Sequence, residues 1–368
     1  MRKAHLFILL FAALAATAAF AQTPPATAPI TPPVDDTPKV SLGAMIFADY
    51  TYQQSPRTKD TDGNTIHPSS FNISRAYINV TGNLNHRIAF RLTPEVSRET
   101  SSSSSLSGSQ EFRLKFVYVQ FNLDDWTTKD SWVRLGVQHT PYMEYTESIY
   151  RYRFQGPLFA ERAGLLISSD AGLSARYVLP NNYGDMHFGY YNGENYNKAE
   201  VNNEKALQAR FSVRPFPQGG PLGGPLLKGL RFTFFINDDH YVDNAKRQRV
   251  IGQVTYEHPR ANAGFDYAGA KDRASVQTAE LNGKGWDLWV TPKFGRWEAL
   301  LRHDDYVPND SVQSQKQKRD IEGIAYWFPN LGTKTLAFLV DRDSLKRTGL
   351  IPSVPNATNY GLKMMLSF

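Results

Sequence analysis

The sequence contains no cysteine at all. A chain of 368 residues without cysteine cannot use disulfide bonds, a metal–thiolate centre or a thiol nucleophile. Beyond residue 21 it also has no apolar run that approaches the roughly 18 residues of a transmembrane helix. These two absences exclude a disulfide-held scaffold and a helical membrane protein. A β-barrel or a soluble fold remains.

An excess of charge of one sign is also missing. The 41 Lys and Arg residues oppose 35 Asp and Glu residues, which gives a formal net charge of +6. The basic residues are scattered, so no nucleic-acid partner is expected. The 8 histidines are scattered too, and neither an HExxH motif nor a nucleophile elbow occurs. We therefore expect no enzyme activity, no cofactor and no metal site.

The N-terminus has the form of a secretory signal peptide. Arg2 and Lys3 precede an apolar run over residues 6–20, and Ala19-Phe20-Ala21 offers a cleavage site. The next segment is rich in Pro, Thr and Ala, which predicts an extended periplasmic lead-in. The predicted parts of the chain are a signal peptide at 1–21, the lead-in at 22–39 and a β-domain at 40–368.

From residue 40 to the C-terminus, apolar and polar residues alternate in about 16 segments. In one segment Ile88, Phe90 and Leu92 share a face, and Arg91 lies on the other. Aromatic residues make up 13% of the chain, as girdles at two membrane interfaces require. The pattern predicts an all-β fold, a transmembrane antiparallel β-barrel. A soluble, carbohydrate-binding β-sandwich would alternate in the same way.

The connections favour the barrel, because long polar stretches alternate with tight turns. The third long connection is Pro141–Ser169, and the fifth is Asp238–Lys246. One expected short turn, Pro215–Gly229, is longer than the others. An even number of strands places both chain ends on the periplasmic side.

Three strand motifs and the last residue carry a family resemblance. The motifs are Phe71–Gly82, Gly295–Arg302 and Ile321–Trp327, and the chain ends in Phe368. Together they resemble the phosphate-selective porins O and P, trimeric channels of the Gram-negative outer membrane. The resemblance implies a homotrimer in the lipid bilayer of that membrane, with a third loop folded into the lumen. It also implies that the barrel-assembly machinery reads Phe368 as an insertion signal.

The third long connection mixes acids, bases and tyrosines. The resemblance places it at the constriction of the channel, where opposed charges would orient and filter solutes. Alternatively it is a surface loop in which Glu147 and Arg151 pair one helical turn apart. The candidate constriction residues are Glu144, Glu147, Arg151 and Arg153.

Seven arginines have the strand parity opposite to the apolar face, and we expect them to point into the lumen. An Arg at the lipid midplane costs about 2–4 kcal/mol, which supports this assignment. These arginines would favour anions, unless they pair with acids of the same parity and only stiffen the wall. The arginines are Arg91, Arg134, Arg176, Arg210, Arg214, Arg231 and Arg302; the acids are Asp49, Asp266, Asp287, Glu298 and Asp304.

The sequence thus predicts an outer-membrane porin, a water-filled channel for passive diffusion of small hydrophilic solutes with a preference for anions. Phosphate is one candidate solute, although the fifth long connection carries three aspartates and a single lysine. One alternative is an oligosaccharide-specific porin, in which sugar rings slide along Tyr142, Tyr145, Tyr150 and Tyr152. Another is a barrel hydrolase that uses Ser148 or Ser169 near His139.

Overall fold

A computed structural model describes residues 36–99, 101–219, 224–312, 314–329, 331–350 and 353–368. The predicted signal peptide and residues 22–35 of the lead-in lie outside these ranges. Sixteen antiparallel strands form a closed barrel, in which each strand pairs with the next along the chain and the last pairs with the first. The predicted fold class and strand number are confirmed.

The strands are long and the helices few. Two short α-helices, α1 (Pro141–Ile149) and α2 (Phe159–Arg162), lie between β5 and β6. The barrel strands are β1 (Lys39–Ser55), β2 (Ser69–Asn83), β3 (Ile88–Arg98), β4 (Gln110–Asn122), β5 (Trp132–His139), β6 (Ser169–Leu179), β7 (Gly184–Tyr191), β8 (Ala206–Val213), β9 (Leu230–Val242), β10 (Ala245–His258), β11 (Ala261–Asp272), β12 (Leu281–Phe294), β13 (Trp297–Val307), β14 (Lys316–Trp327), β15 (Thr335–Thr348) and β16 (Ala357–Ser367).

The smaller elements lie in the connections. A two-stranded ribbon, Thr58–Lys59 with Thr65–Ile66, occupies the connection after β1. 3₁₀-helices at Pro180–Asn182 and Pro225–Gly229 precede β7 and β9. No helix in the described ranges is long and apolar enough to cross a membrane.

Most strands have an exposed face that is largely apolar and a buried face that carries most of the polar residues. On β5, Leu135 is 60% exposed, whereas Arg134 and Gln138 are buried. Successive side chains of a strand point to opposite sides of the sheet, so the period of two in the sequence becomes an apolar outer wall and a polar inner wall.

The first and last strands close the barrel. The backbone N–H of Ala44 donates to the carbonyl of Phe368 at 3.0 Å, and the backbone N–H of Phe368 donates to the carbonyl of Ala44 at 3.0 Å. Closure leaves no unpaired strand edge, which is the condition for placing a β-sheet in lipid. The start of β1 and the end of β16 lie at the rim that carries the short turns.

One predicted loop is a strand pair. Residues 238–246, predicted as the fifth long connection, continue β9 and β10 and turn at Asp243 and Asn244. Asn244 has φ +62°, the conformation that two-residue hairpin turns require. The prediction was wrong because the polar residues pair across the strands: Arg247 Nε donates to Asp239 at 2.6 Å.

Candidate functional site

The connection between β5 and β6 makes polar contacts with strands that are far apart in the barrel. At its start, Glu144 pairs with Arg134 of β5 at 2.7 Å, and the Tyr142 hydroxyl donates to Asp266 of β11. At its end, the Ser168 hydroxyl accepts a 2.7 Å hydrogen bond from Lys115 of β4. The neighbouring strands β4 and β5 therefore hold both ends of the connection, and β11 holds its start as well.

The middle of the connection is anchored to strands late in the chain. The Gln155 amide donates to Asp341 of β15 at 3.0 Å, and Arg162 pairs with Asp343 of the same strand at 3.2 Å. Arg302 of β13 donates to the carbonyl of residue 157 at 3.2 Å.

Helix α1 follows from its sequence. Pro141 occupies the first turn, where the missing N–H costs no helical hydrogen bond. Tyr142, Tyr145, Thr146 and Ile149 recur at helical spacing, and all four are buried. Tyrosines buried in this way cannot form an open track for sugar rings.

The predicted constriction charges separate into different contacts. Glu144 lies between Arg134 and His187, 2.7 Å and 3.6 Å away. Burial raises the pKa of Glu144, but Arg134 and His187 outweigh burial and the pKa falls below its usual range. Glu147 pairs with Arg153 at 3.1 Å, and here burial prevails and raises the pKa of Glu147.

Arg151 does not pair with Glu147, so the interpretation as a helical surface pair was wrong. Helix α1 ends at residue 149, before Arg151. The Arg151 guanidinium lies 3.6 Å from the centre of the Trp327 ring and 3.8 Å from Glu298. Arg153 instead joins the α1 and α2 regions, because it also pairs with Glu161 at 2.6 Å.

Six of the seven predicted lumen arginines have a carboxylate partner. Arg91 differs: it donates to Asn79 and Thr93 at 2.9 Å each, and no carboxylate of the described residues lies within 4.0 Å. The pairs are Arg134 with Glu144, Arg176 and Arg210 with Asp185, Arg214 and Arg231 with Glu257, and Arg302 with Asp304. Most of their charge is therefore neutralised within the protein.

A polar cavity of about 430 Å³ lies between the end of the connection and strands β2 to β4. Its charged lining residues are Arg75, Arg113, Lys115, Glu95 and Glu161. Three cations thus share one space with two carboxylates.

A β-bulge aims Lys115 into this cavity. Thr93 pairs with Phe116 and Pro94 pairs with Leu114, which leaves Lys115 as the extra residue of β4. Pro94 has no N–H to give to the ladder, which accounts for a bulge at this point. The ammonium lies 3.8 Å from the centre of the Tyr196 ring.

Sequence reasoning missed these three cations. A signal was present for Arg113 and Lys115, because they alternate with Phe112 and Leu114 and therefore have inward parity. Arg75 lies inside the first family motif, where the alternation is broken by a second bulge next to Ser74.

The proposed hydrolase residues are not assembled. The half-buried His139 ring stacks on Phe116 at 3.8 Å, and its Nδ1 has no hydrogen-bond partner. Ser148 donates to the carbonyl of Tyr145 at 2.6 Å, and the Ser169 hydroxyl has no partner. Within the described ranges, no three His, Asp or Glu side chains could hold a metal ion together.

The family model of the phosphate-selective porins O and P matches residues 42–252. The chain belongs to this family. The match and the closed barrel make the protein an outer-membrane channel, as the sequence motifs predicted. No curated protein sequence matches the chain.

Solved porin structures share the fold at low sequence identity. The anion-selective porin of Comamonas acidovorans is 14% identical, with a TM-score of 0.59 over 90% of this chain and 100% of the other. The outer-membrane channel DcaP of Acinetobacter baumannii is 12% identical, with a TM-score of 0.59 over 91% and 98%. OmpF of Salmonella typhi, in complex with daunomycin, is 10% identical, with a TM-score of 0.61 over 91% and 99%.

Proposed function

We propose that this porin is a trimeric diffusion channel that passes small hydrophilic solutes with a preference for anions and catalyses no reaction. The connection Pro141–Ser169 folds into the lumen and narrows it. Its polar contacts with the inner faces of β4, β5, β11, β13 and β15 support this placement, because a segment outside the lumen could not touch all these strands.

The cavity beside β2 to β4 is the observation that carries the anion preference. Here the connection touches the wall at Ser168, which accepts a hydrogen bond from Lys115 at 2.7 Å, and at Glu161, which lies 3.6 Å from Arg75. The cavity is the open space between these contacts. Arg75, Arg113 and Lys115 outnumber Glu95 and Glu161, so an anion that enters gains more attraction than repulsion. Phosphate is one such anion, since its oxygens accept charge-assisted hydrogen bonds from Arg and Lys.

The predicted constriction residues then have two roles. Glu147 pairs with Arg153, and Arg153 pairs with Glu161, which lines the cavity. Glu161 lies 3.6 Å from Arg75, so the opening has an acidic side and a basic side. Glu144 and Arg151 hold the connection against the wall. The paired arginines stiffen the barrel, and the unpaired Arg91 adds positive charge.

Assembly of the channel involves the C-terminus. The Phe368 side chain is 54% exposed at the closing seam of the barrel, where the barrel-assembly machinery can reach it. We assign it the role of insertion signal.

The reversal potential of the purified porin in a planar bilayer under a KCl gradient tests the proposal. Wild type should conduct and prefer chloride. Lys115→Gln leaves two cations against the two carboxylates of the cavity, which removes its surplus of positive charge, and should shift the reversal potential toward the potassium value. Arg176→Gln is the control, because it removes the same charge from a cluster of two arginines and one carboxylate outside the cavity and should shift the potential less. A cation-selective wild type, or a folded barrel without conductance, refutes the proposal.

A further inference from the structure

The cavity beside β2 to β4 is larger than a single oxyanion requires. Its volume of about 430 Å³ lies within the range of about 300–1,000 Å³ that is typical of sites for small organic molecules. A site for chloride or inorganic phosphate needs room only for one ion in contact with its donors. The cavity therefore has space for a solute that carries other groups besides its charge.

The surplus positive charge of the cavity lies on its β4 side. There two bases share the carboxylate of Glu95: Arg113 Nε donates to it at 2.6 Å, and Lys115 Nζ lies 4.0 Å away. On the β2 side two bases face two acids, so the charges balance; these residues are Arg75 and Arg153 with Glu147 and Glu161. An anionic group is therefore attracted to Arg113 and Lys115.

Arg113 presents a free pair of donors to this space. Its Nε is taken by Glu95, whereas its two Nη groups make no hydrogen bond with any residue of the described ranges. The side chain is 40% exposed, so a solute can reach it. A guanidinium with two such donors binds two oxygens of a carboxylate or of a phosphate group at once.

The same cavity has neutral hydrogen-bonding groups that the protein leaves unused. The Ser97 hydroxyl lies two residues beyond Glu95 on the inner face of β3, and the Asn197 amide follows Tyr196 in the connection after β7. Neither side chain makes a hydrogen bond with another residue that the structure describes. A hydroxyl and an amide can each donate and accept, as the hydroxyls of a sugar require. Inorganic phosphate bound at Arg113 would leave both groups without a solute partner.

We propose that this cavity binds a hydroxylated organic anion of monosaccharide size, either a sugar acid or a sugar phosphate. The proposal rests on the anion preference in the proposed function and names the class of solute for the same cavity. The anionic group contacts the free donors of Arg113, and the hydroxyls contact Ser97 and Asn197. Both kinds of contact are needed, so an uncharged sugar and an anion without hydroxyls should each bind more weakly.

Block of the chloride current in planar bilayers tests the proposal. The solutes are glucuronate and glucose 6-phosphate, with cyclohexanecarboxylate and glucose as controls. Cyclohexanecarboxylate has a ring and a carboxylate but no hydroxyls, and glucose has the hydroxyls without the charge. At least one sugar anion should half-block the current at a concentration about tenfold or more below both controls, because two hydrogen bonds of ordinary net strength give this ratio. The more effective sugar anion identifies whether Arg113 takes a carboxylate or a phosphate.

Two serine variants test the hydroxyl contacts. Ser97→Ala removes one proposed hydrogen bond and should raise the half-blocking concentration of the effective sugar anion roughly two- to tenfold, and that of cyclohexanecarboxylate less. Ser169→Ala is the matched control, because the Ser169 hydroxyl also has no partner but is buried outside the cavity. Block of Ser169→Ala by the sugar anion should equal that of the wild type.

Two outcomes overturn the proposal while the channel stands. In one, an anion-selective wild type is blocked by both sugar anions no better than by the two control solutes. In the other, the effective sugar anion blocks Ser97→Ala and Ser169→Ala equally well. A wild type that prefers cations or does not conduct refutes the proposed function, and this proposal with it.

Discussion

At the scale of single residues, His86 shows how one side chain can fix the entry of the chain into the barrel. Its Nδ1 lies 2.5 Å from Asp36, just before β1, and its Nε2 lies 3.0 Å from Asp125 in a neighbouring short turn. Both ring nitrogens must donate to satisfy two carboxylates, so the ring is an imidazolium. The hydrogen bonds to Asp36 and Asp125 raise the pKa of His86 above 6.5.

We expect this contact to depend on pH. A raised pKa in the folded state means that the stabilisation is complete below the ordinary pKa of 6.5 and is lost as pH rises through the folded value. The backbone and side-chain hydrogen bonds from His86 lower the pKa of Asp36, so the acid side of the contact fails only at low pH. Between these limits, the end of the lead-in should be held against the short turns.

A nitroxide attached to Pro38→Cys measures this directly, since the chain has no other cysteine. The spectrum should show a more mobile label at about pH 9 than at about pH 5. In a His86→Gln background, the label should be mobile at both values. Equal mobility of the label in the otherwise unchanged chain at both pH values would contradict the expected contact.

Tyr196 is the second residue with a measurable consequence. Its ring lies over the Lys115 ammonium, and its hydroxyl donates to Glu95, so it reaches from the connection after β7 across the cavity. Tyr196→Ala should widen the opening and uncover Lys115, which raises the single-channel conductance and the chloride preference. Tyr241→Ala is the control: that ring lies 4.8 Å from Arg247 and its hydroxyl donates to Asp272 at 2.8 Å, outside the cavity. Equal effects of the two variants would place the solute path elsewhere.

At the scale of elements, the sequence predicted the strands well and the irregularities poorly. The period of two is a local property, so the outward row from Leu230 to Ile236 could be read without knowledge of any partner strand. The bulge at Lys115 could not be read, because an extra residue exists only relative to the register of β3. Likewise, the polar residues on the two sides of the Asn244 turn pair across β9 and β10, and the composition of the segment does not indicate this pairing.

The candidate site shows the same limit. Strand parity predicts that the seven arginines point inward, but it does not give their partners. Five of the six paired arginines have their carboxylate on another element, and Arg302 pairs with Asp304 of its own strand. The anchors of α1 also depend on distant residues: Asp266 follows Tyr142 by 124 positions. Which cations remain unneutralised is therefore a property of the assembled barrel.

The attachment of α1 can be tested at a single hydrogen bond. Tyr142→Phe keeps the ring but removes the donor to the buried Asp266, which costs about 1–3 kcal/mol of the free energy that holds the helix to the wall. We expect more frequent current fluctuations in single-channel recordings. Tyr145→Phe is the matched control, because the Tyr145 hydroxyl has no hydrogen-bond partner. If the current through Tyr142→Phe fluctuates no more often than the current through the control, the attachment is refuted.

At the scale of the whole molecule, the barrel inverts the usual arrangement of a folded protein. Large apolar side chains such as Phe71 and Val340 are 84% and 63% exposed, while charged groups such as Arg302 and Asp287 are buried. Lipid supplies the apolar surroundings, and the closed ladder satisfies the backbone without any disulfide. Stability should therefore depend on the depth at which a charge is placed on the outer wall.

Leu288→Arg and Phe294→Arg test this dependence on one strand. Leu288 lies at mid-strand on the outer face of β12 and is 48% exposed; Phe294 ends the same strand at the short-turn rim and is 74% exposed. In lipid vesicles, Leu288→Arg should lower the free energy of unfolding by about 2–4 kcal/mol and Phe294→Arg by about 0–1 kcal/mol. Denaturant titration followed by tryptophan fluorescence gives both values. Equal losses would mean that Leu288 does not face hydrocarbon, and the assignment of the outer wall would fail with it.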